Sequence, residues 1–313
     1  MTKGAAAWLP GLFTAFVWGT TFVASKAVLV AGLSPIALAL ARFVVAYAVL
    51  AVLSRILCVR AIPFRWDKGE LRLALLGLTS VLYFVMEYAA LPLVPSAEVG
   101  VLTSTVPIVT TALMVPLGKA RVGWLYLLGS LIAMVGVTLV TGLLGGPWGR
   151  GAALGYAFTA GAVLFWAAYT VLLQDLAPCH HPIAISRRYF FYSVLSLLPF
   201  AVAGDDLSTF AAFADGSALL PTLYLGVVAS GLCIWLWNVS VVRLGAVRTN
   251  SLLYLLTVVP VVASALFTNE QLTLMTWVGA ALVMVGIIVA DRDKHGRSGI
   301  SAAAEKDNNI KSS

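Results

Sequence analysis

Four ionisable side chains interrupt long apolar runs of the sequence: Lys26, Arg42, Glu87 and Glu98. A charge within the hydrocarbon of a bilayer is costly, so such groups are functional candidates by default. Two are basic and two are acidic, and pairing across helices would reduce the cost of removing them from water. A carboxylate in such a network can exchange a proton near neutral pH, and Glu87 is the best placed for that role. The alternatives are a structural ion pair, such as Arg42 with Glu98, and a Lys26 side chain that extends to the interface.

Aromatic residues at helical spacing could form a cavity near these charges. Trp18, Phe22 and Ser25 lie within about 60° of one another on a helix at about 100° per residue. Trp166 and Thr170 repeat that spacing later in the chain. Such a face combines wide rings with a hydroxyl, which suits a ring compound or a medium-sized zwitterion. The alternative is that these aromatic residues only pack between helices.

Further polar and aromatic groups could complete the lining of that cavity. Tyr83 stands one helical turn before Glu87 and therefore shares its face. In the second half of the chain the candidates are Trp235, Asn238 and Tyr254. Together they would supply a few placed hydrogen-bonding groups in an apolar site, as small-molecule sites require.

The elements that position these side chains follow from hydropathy. The chain has 61% hydrophobic and 11% charged residues over 313 positions, which predicts an all-α integral membrane protein. About twenty apolar helical residues span the hydrocarbon of a bilayer. Ten segments meet that length, and we predict spans at Leu9–Val30, Pro35–Leu53, Leu71–Leu91, Ala97–Leu117, Trp124–Leu144, Ala152–Leu173, Ala184–Ala203, Leu219–Val242, Thr249–Thr268 and Thr273–Ala290.

The charges outside the spans sort by side of the membrane. One side carries twelve basic residues: Lys3, Arg55, Arg60, Arg65, Lys68, Arg72, Lys119, Arg121, Arg187, Arg188, Arg243 and Arg248. The other side carries Arg150 with the acids Asp205, Asp206, Asp215 and Glu270. Because Lys and Arg favour cytoplasmic loops, both termini are predicted to be cytoplasmic. The net charge of +7 therefore indicates topology rather than nucleic-acid binding. Residues 291–313 are polar without apolar periodicity and predict a disordered cytoplasmic tail.

The chain also repeats itself. Pro107 and Trp124 are separated by the same interval as Pro260 and Trp277, and the stretch 129–136 matches 279–286. We therefore predict one five-helix unit over residues 1–145 and a diverged copy over 151–290. Five is an odd number, so the second unit must be inverted relative to the first. Two inverted bundles can open a midplane site to one side and then to the other.

Two features of the repeat indicate movement and close packing. Pro107 and Pro260 each remove a backbone hydrogen bond at the same place in the two units, which predicts matched hinges, the alternative being incidental helix irregularity. Small residues four apart, Gly129 with Ala133 and Gly286 with Ala290, allow close helix approach for packing or for a homodimer contact.

Aligning the two units predicts an asymmetry of charge. Lys26 aligns with Gln174, Arg42 with about Arg188, Glu87 with about Asn238, and Glu98 loosely with Arg248. The inner counterpart of the outer charge cluster thus retains bases and lacks acids. One interpretation is that Arg188 attracts a carboxylate-bearing solute from the cytoplasm; the alternative is that these arginines only obey the positive-inside rule.

Several short motifs occur in a fixed order along the chain. They are Trp18-Gly19-Thr20-Thr21-Phe22, Pro35 with Arg42-Phe43, the Pro107 and Pro260 helices, and the glycine-rich fifth and tenth spans. Together they resemble the drug/metabolite transporter superfamily, EamA type, over residues 9–290. The resemblance implies a ten-helix inner-membrane carrier, usually an exporter of amino acids or related metabolites, with a cavity lined by spans 1, 3, 4, 6, 8 and 9. The segment 97–100 also resembles an aromatic amino-acid exporter of this superfamily, too briefly to assign that substrate.

The leading hypothesis is a secondary carrier that exports an amino acid or similar metabolite, with the proton as an open candidate for the coupling ion. The alternatives are an importer of a vitamin-like or ring-bearing solute and an intramembrane enzyme. His180 and His181 beside Cys179 lack a clear fourth ligand, so no metal site is predicted. No P-loop pattern occurs, and no cofactor is expected.

Overall fold

The computed structural model is a bundle of helices with apolar outer faces. It describes residues 5–120, 122–142, 150–176, 180–204, 206–214, 216–244, 249, 251–268 and 272–292, and no strand occurs among them. Arg121, Cys179, Arg248, Glu270 and the predicted tail beyond residue 292 lie outside the described residues.

The first half of the chain forms six helices that follow the predicted spans closely. They are α1 (Ala5–Val30), α2 (Pro35–Ile56), α3 (Lys68–Ala90), α4 (Ser96–Thr103), α5 (Val106–Met114) and α6 (Trp124–Val140). The second half forms α7 (Arg150–Leu176), α8 (Pro182–Ala203), α9 (Leu219–Leu223), α10 (Cys233–Leu244), α11 (Val259–Phe267) and α12 (Leu274–Asp291). A π-helical segment, Tyr224–Leu232, joins α9 to α10, and 3-10 segments cover Asp206–Phe213 and Ser251–Thr257.

Six of the described helical segments are long and apolar enough to cross a membrane. A seventh is added if α8 and the bent 3-10 segment after it are one span. Three shorter apolar helices are Trp124–Val140, Leu252–Phe267 and Leu274–Ala290. Large apolar side chains face outward, with Leu131 62% and Met134 65% exposed, while Arg42 and Glu87 are each 1% exposed. Apolar groups outside and charged groups inside are what a lipid solvent requires.

The helices begin where the sequence supplies caps. Ser34 accepts a hydrogen bond from the Ala37 backbone N–H at the start of α2, and Pro35 occupies the first turn. His181 and Pro182 repeat that arrangement at the start of α8. Proline is tolerated there because the first-turn N–H groups have no intrahelical partner. The matched caps anchor α2 and α8 in the same register.

The fourth and ninth predicted spans are both interrupted. Pro107 stands in the first turn of α5, just after α4 ends at Thr103. Pro260 stands in the first turn of α11, after the 3-10 segment that ends at Thr257. Each proline therefore starts a new helix instead of kinking a continuous one. The two breaks occupy equivalent places in the two halves.

Helices α6 and α12 pack against each other through glycine. A Cβ on Gly136 would lie 2.6 Å from the Gly279 carbonyl oxygen. A Cβ on Gly129 would lie even closer to backbone atoms of Gly286 and Ala290. Gly129 meets Gly286, whereas Gly136, further along α6, meets the earlier residue Gly279 of α12, so the two helices are antiparallel. Because Gly129 aligns with Gly279 and Gly136 with Gly286, the contacts have the pattern of a local twofold axis. The small-residue pattern thus serves packing within the chain.

A second pair of contacts has the same pattern. A Cβ on Gly77 of α3 would lie 2.8 Å from the Tyr189 carbonyl oxygen of α8, whereas one on Gly226 would lie 3.4 Å from the Arg42 carbonyl oxygen of α2. Arg42 and Tyr189 are each seven residues after the proline that begins their helix. The counterpart of Arg42 is therefore Tyr189. The alignment of Arg42 with Arg188 was wrong by one residue, because spacing alone does not establish helical register.

Candidate functional site

A narrow cavity lies inside the bundle and contains about 360 Å³ of empty space, including space open to solvent. Its lining comes from both halves of the chain, and every lining side chain is at most 8% exposed. The lining residues are Trp18, Thr21, Phe22, Arg42, Tyr83, Phe84, Thr103, Trp166, Leu253 and Leu256. Four predicted cavity residues, Trp18, Phe22, Tyr83 and Trp166, are among them.

Two tryptophans form the centre of the lining. The Trp18 and Trp166 rings meet edge to face with centroids 5.2 Å apart, and Tyr83 lies 4.8 Å from Trp166. The Trp18 indole N–H donates to the Ala229 carbonyl oxygen at 2.9 Å, which holds the ring in place. Trp18 and Trp166 occupy equivalent positions in the two halves. Contact between residues that the predicted repeat makes equivalent is what a twofold axis between the two halves would give, with the cavity beside that axis.

Arg42 brings a permanent positive charge to this cavity. Its Nε donates to the Ser230 hydroxyl, and its Nη1 donates to the Tyr88 hydroxyl at 2.6 Å. The guanidinium carbon lies 4.2 Å from the centroid of the Phe84 ring, within range of a cation–π interaction. Two nitrogens are used by these bonds, which leaves Nη2 for the cavity. A guanidinium held in this way is suited to bind a carboxylate.

Glu87 lies behind the cavity wall. It is 1% exposed, its carboxylate faces the Tyr83 hydroxyl as a hydrogen-bond acceptor, and it interacts with the Arg42 charge. Its Oε1 has no hydrogen-bond partner. Tyr83 therefore connects a buried carboxylate to the cavity surface.

The other two predicted members of the charge cluster lie elsewhere. Glu98 accepts a hydrogen bond from the Tyr156 hydroxyl at 2.5 Å, and Lys26 donates to the Val94 carbonyl oxygen at 3.2 Å. The suggested Arg42–Glu98 ion pair was wrong, because Arg42 turns toward Ser230 and Tyr88 instead. Lys26 and Glu98 thus connect helix ends outside the cavity lining.

Arg188 has an acidic partner that the sequence analysis missed. Its guanidinium donates to both carboxylate oxygens of Glu70, at 2.7 and 3.1 Å, and the Tyr192 hydroxyl donates to the same carboxylate at 2.5 Å. The prediction of an inner cluster without acids was therefore wrong. Glu70 lies in the first turn of α3, one residue before the predicted span. The sequence analysis therefore treated it as a loop residue and did not consider it as a partner of Arg188. Its position three residues after the cap Asp67 is the signal that places it on a helix.

The remaining predicted residues pack around the site. Thr170 donates to the Trp166 carbonyl oxygen, and Asn238 donates to the Ser186 hydroxyl at 2.7 Å. Tyr254 donates to the Ile287 carbonyl oxygen at 3.4 Å. Trp235 is partly buried outside the lining, whereas its neighbour Trp237 is fully buried.

Several contributors to the site were not predicted. Trp237 lies 4.9 Å from Trp18 between ring centroids, and Phe84 packs under Arg42. Thr21 is three residues after Trp18, so the helical face that contains Trp18 and Phe22 could have identified it. Leu253 and Leu256 carry no chemical signal in a sequence that is apolar throughout.

A metal centre has no support in the described ranges, which contain no group of three or more His, Cys, Asp or Glu side chains able to hold an ion. The arrangement can instead offer hydrogen bonds, ring faces and one cationic group to a solute.

A helical membrane protein whose two halves enclose an aromatic cavity with one buried cation is typical of the class of solute transporters. The family model of the EamA-like transporter family matches residues 6–142 and 153–290, so this chain belongs to that family. Membership makes it a membrane transporter of small solutes. No curated protein sequence matches closely enough to add a relative.

Solved structures share the fold. One crystal structure, whose description names no activity, is 19% identical over 91% of this chain and 97% of that chain, with a TM-score of 0.63. At that identity the likeness concerns the fold alone.

Proposed function

We propose that the chain is a secondary transporter that exports an amino-acid-like solute across the inner membrane by alternating access. The observation that carries the proposal is Arg42, a fully buried cation at the surface of an aromatic cavity. A buried charge is costly to retain, and here it faces a cavity where a mobile solute can meet both halves of the chain.

The recognition of the solute follows from the lining. The free edge of the Arg42 guanidinium binds a carboxylate in a charge-assisted contact. The ring faces of Trp18, Trp166 and Tyr83 pack against an apolar or aromatic side chain, and their π-faces attract an ammonium group. The two ends of a zwitterion are thus bound by different parts of one cavity.

Topology supports the direction and the span count that we propose. Six long apolar segments, α8 and three shorter apolar helices are ten candidates for the ten spans that we propose. The twelve basic residues on one side support termini in the cytoplasm. With that orientation Arg42, near the start of α2, lies toward the outer side, where an exporter releases its solute.

Glu87 is proposed as the carrier of a coupling proton. It is buried next to Arg42, Tyr83 and Tyr88, and one of its oxygens has no partner. An ionised Glu87 attracts the ammonium group of a zwitterionic solute and a protonated one does not, so a proton that arrives from the outer side weakens solute binding and favours release there. Solute and proton occupancy are thereby linked.

Counterflow in proteoliposomes tests the proposal. The purified protein is expected to exchange labelled amino acids, and Arg42→Gln is expected to lower kcat/KM by about a hundredfold, since a hydrogen bond to a charged group is lost in a dry site. Arg42→Lys should retain part of the activity. Arg55→Gln removes an exposed arginine at the end of the same helix and is the matched control.

Two outcomes would contradict the proposal. One is the absence of exchange for all amino acids and related carboxylates by a folded wild-type protein. The other is an equal loss in Arg42→Gln and Arg55→Gln, which would indicate a general effect of removing positive charge. Measuring flux with the solute outside or inside then determines whether export is the favoured direction.

A further inference from the structure

A second group of buried polar side chains lies beyond Trp166. The Tyr169 ring stacks on Trp166 with centroids 4.8 Å apart and an interplanar angle of 19°. Tyr189 meets Tyr169 edge to face at 5.5 Å. Both tyrosines are fully buried, and Asn238 on α10 is 1% exposed. We call Tyr169, Tyr189 and Asn238 the tyrosine–asparagine cluster.

The polar atoms of this cluster are incompletely bonded. The hydroxyls of Tyr169 and Tyr189 and the Oδ1 of Asn238 have no partner outside the cluster; Tyr169 interacts with the other two groups, but neither contact reaches full hydrogen-bond geometry. Only the Asn238 amide nitrogen is used, as donor to Ser186. A buried polar atom without a partner is costly, so three in one place require an explanation. Packing alone does not require hydroxyls at these positions.

The internal repeat relates this cluster to the Arg42 site. Tyr189 is the counterpart of Arg42, as the Gly77 and Gly226 contacts show. Tyr88 lies eleven residues after Gly77, and Asn238 lies twelve after Gly226. The extra residue falls in the π-helical segment Tyr224–Leu232, where a wider turn absorbs an insertion. Asn238 is therefore the counterpart of Tyr88, which bonds Arg42, and not of Glu87, with which the sequence interval approximately aligned it.

In an inverted repeat, the correspondence between the cluster and the Arg42 network predicts which side chains face the cavity in each conformation. In alternating access the two halves exchange conformations, so groups that face the cavity in one state are replaced by their counterparts in the other. Arg42 faces the cavity in this structure, while Tyr189 and Asn238 do not. In the opposite-facing state the cluster would occupy the place that the Arg42 network has here.

We propose that Tyr169, Tyr189 and Asn238 form a second solute-binding site, used in the conformation that faces the opposite side of the membrane; this rests on the proposed transport function. The site takes a zwitterionic or other neutral polar solute. The two hydroxyls donate to a solute carboxylate, and Asn238 Oδ1 accepts from an ammonium group.

The two sites differ in strength. A guanidinium–carboxylate contact is charge-assisted and roughly twice as strong as a contact between neutral groups. The solute is therefore bound more weakly in the conformation that exposes the cluster than in the conformation that exposes Arg42.

The test compares apparent KM from the two faces of the membrane. Proteoliposomes are prepared with one orientation, assigned by an impermeant thiol reagent on Cys58, which is exposed, in a Cys179→Ser background. Tyr189→Phe and Tyr169→Phe are expected to raise KM about tenfold from one face and to leave it within about twofold from the other, as loss of one hydrogen bond to a charged group predicts. Arg42→Gln should raise KM mainly from the opposite face.

Thermal unfolding separates a binding role from a structural one. Removing a hydroxyl that has no partner is expected to leave the Tm unchanged or to raise it. Tyr126→Phe is the matched control, because its hydroxyl donates to the Ile108 carbonyl oxygen at 2.7 Å, away from both sites. That control should lower the Tm and leave KM unchanged from both faces.

The outcomes separate this inference from the proposed function. If the wild type exchanges solute and Arg42→Gln impairs it, the transport function stands. Unchanged KM in both cluster variants, or an equal rise from both faces, then overturns the second site. If the folded wild type exchanges none of the tested solutes, the proposed function itself fails.

Discussion

Arg42 and Tyr189 each stand seven residues after the proline that begins their helix, in the two halves of the predicted repeat, yet their surroundings differ. Arg42 has two hydrogen bonds and a ring beneath it, whereas the Tyr189 hydroxyl meets only Tyr169 and makes no hydrogen bond of full geometry. A buried guanidinium without partners would cost far more than a buried hydroxyl without one. The comparison teaches that duplication preserved the helices and left the chemistry of each half free to diverge.

The largest expected effect comes from making the two positions alike. Tyr189→Arg places a second guanidinium in the tyrosine–asparagine cluster, within electrostatic range of the Arg42 charge and with only neutral acceptors, the Tyr169 hydroxyl and Asn238 Oδ1, beside it. The free energy of unfolding should fall by about 3–5 kcal/mol, as for an uncompensated buried charge. Thermal unfolding in detergent measures the loss. A variant as stable as the wild type would show that the second half can accommodate the charge. The surroundings of Arg42 and Tyr189 would then not differ in their ability to hold a guanidinium.

A smaller effect is expected from the glycines that hold the two positions in register. Gly77→Ala would press a methyl group against the Tyr189 carbonyl oxygen and the Tyr192 Cβ, both at 2.8 Å. Gly226→Ala would meet the Cβ and Cγ1 of Val45 at 2.6 Å but backbone only at 3.4 Å, so α2 must shift to relieve contact with a single residue. Both should destabilise by about 1–3 kcal/mol, with Gly77→Ala the more severe.

The same unfolding assay ranks the two alanine variants. A larger loss of stability in Gly226→Ala than in Gly77→Ala would show that the contact distances do not determine how easily each helix pair can shift. Gly151→Ala, whose Cβ would meet nothing within 4 Å, is the matched control and should be close to neutral.

The smallest expected effect concerns the coupling of solute to pH. Glu87→Gln keeps the shape of the side chain but removes its ionisation, so exchange at equal pH should stay within about threefold of the wild type, while stimulation by a pH gradient disappears. Glu98→Gln, outside the cavity lining, is the control and should keep the stimulation. Stimulation that persists in Glu87→Gln would exclude this carboxylate as the proton carrier.

Much of the fold was predictable because its signals are local. Apolar runs predicted the outer limits of the described helical segments to within a few residues, although the fourth, eighth and ninth runs are not single α-helices, and Pro35 and Pro182 marked the starts of α2 and α8. Matching intervals between prolines and tryptophans revealed the repeat. Each of these signals needs only neighbouring residues and the geometry of one helix.

The site was predictable only in part. Trp18, Phe22 and Trp166 were found because they share helical faces, and Arg42 because a charge in an apolar run is conspicuous. Phe84 and Trp237 were missed, since one aromatic residue among many gives no signal of the direction in which it faces. The partners of Arg42 were mistaken because Ser230 is 188 residues away along the chain.

The sequence by itself determined that this chain lies in a membrane and that it is helical, and it predicted a diverged copy of the first half. Hydropathy and helical period are properties of single segments, so they survive without knowledge of the neighbours. The tertiary structure decided which charge meets which hydroxyl, that Arg188 pairs with Glu70, and that Tyr189 rather than Arg188 is the counterpart of Arg42. Those choices depend on helix rotation and register, which are established only when small residues such as Gly77 let two helices touch.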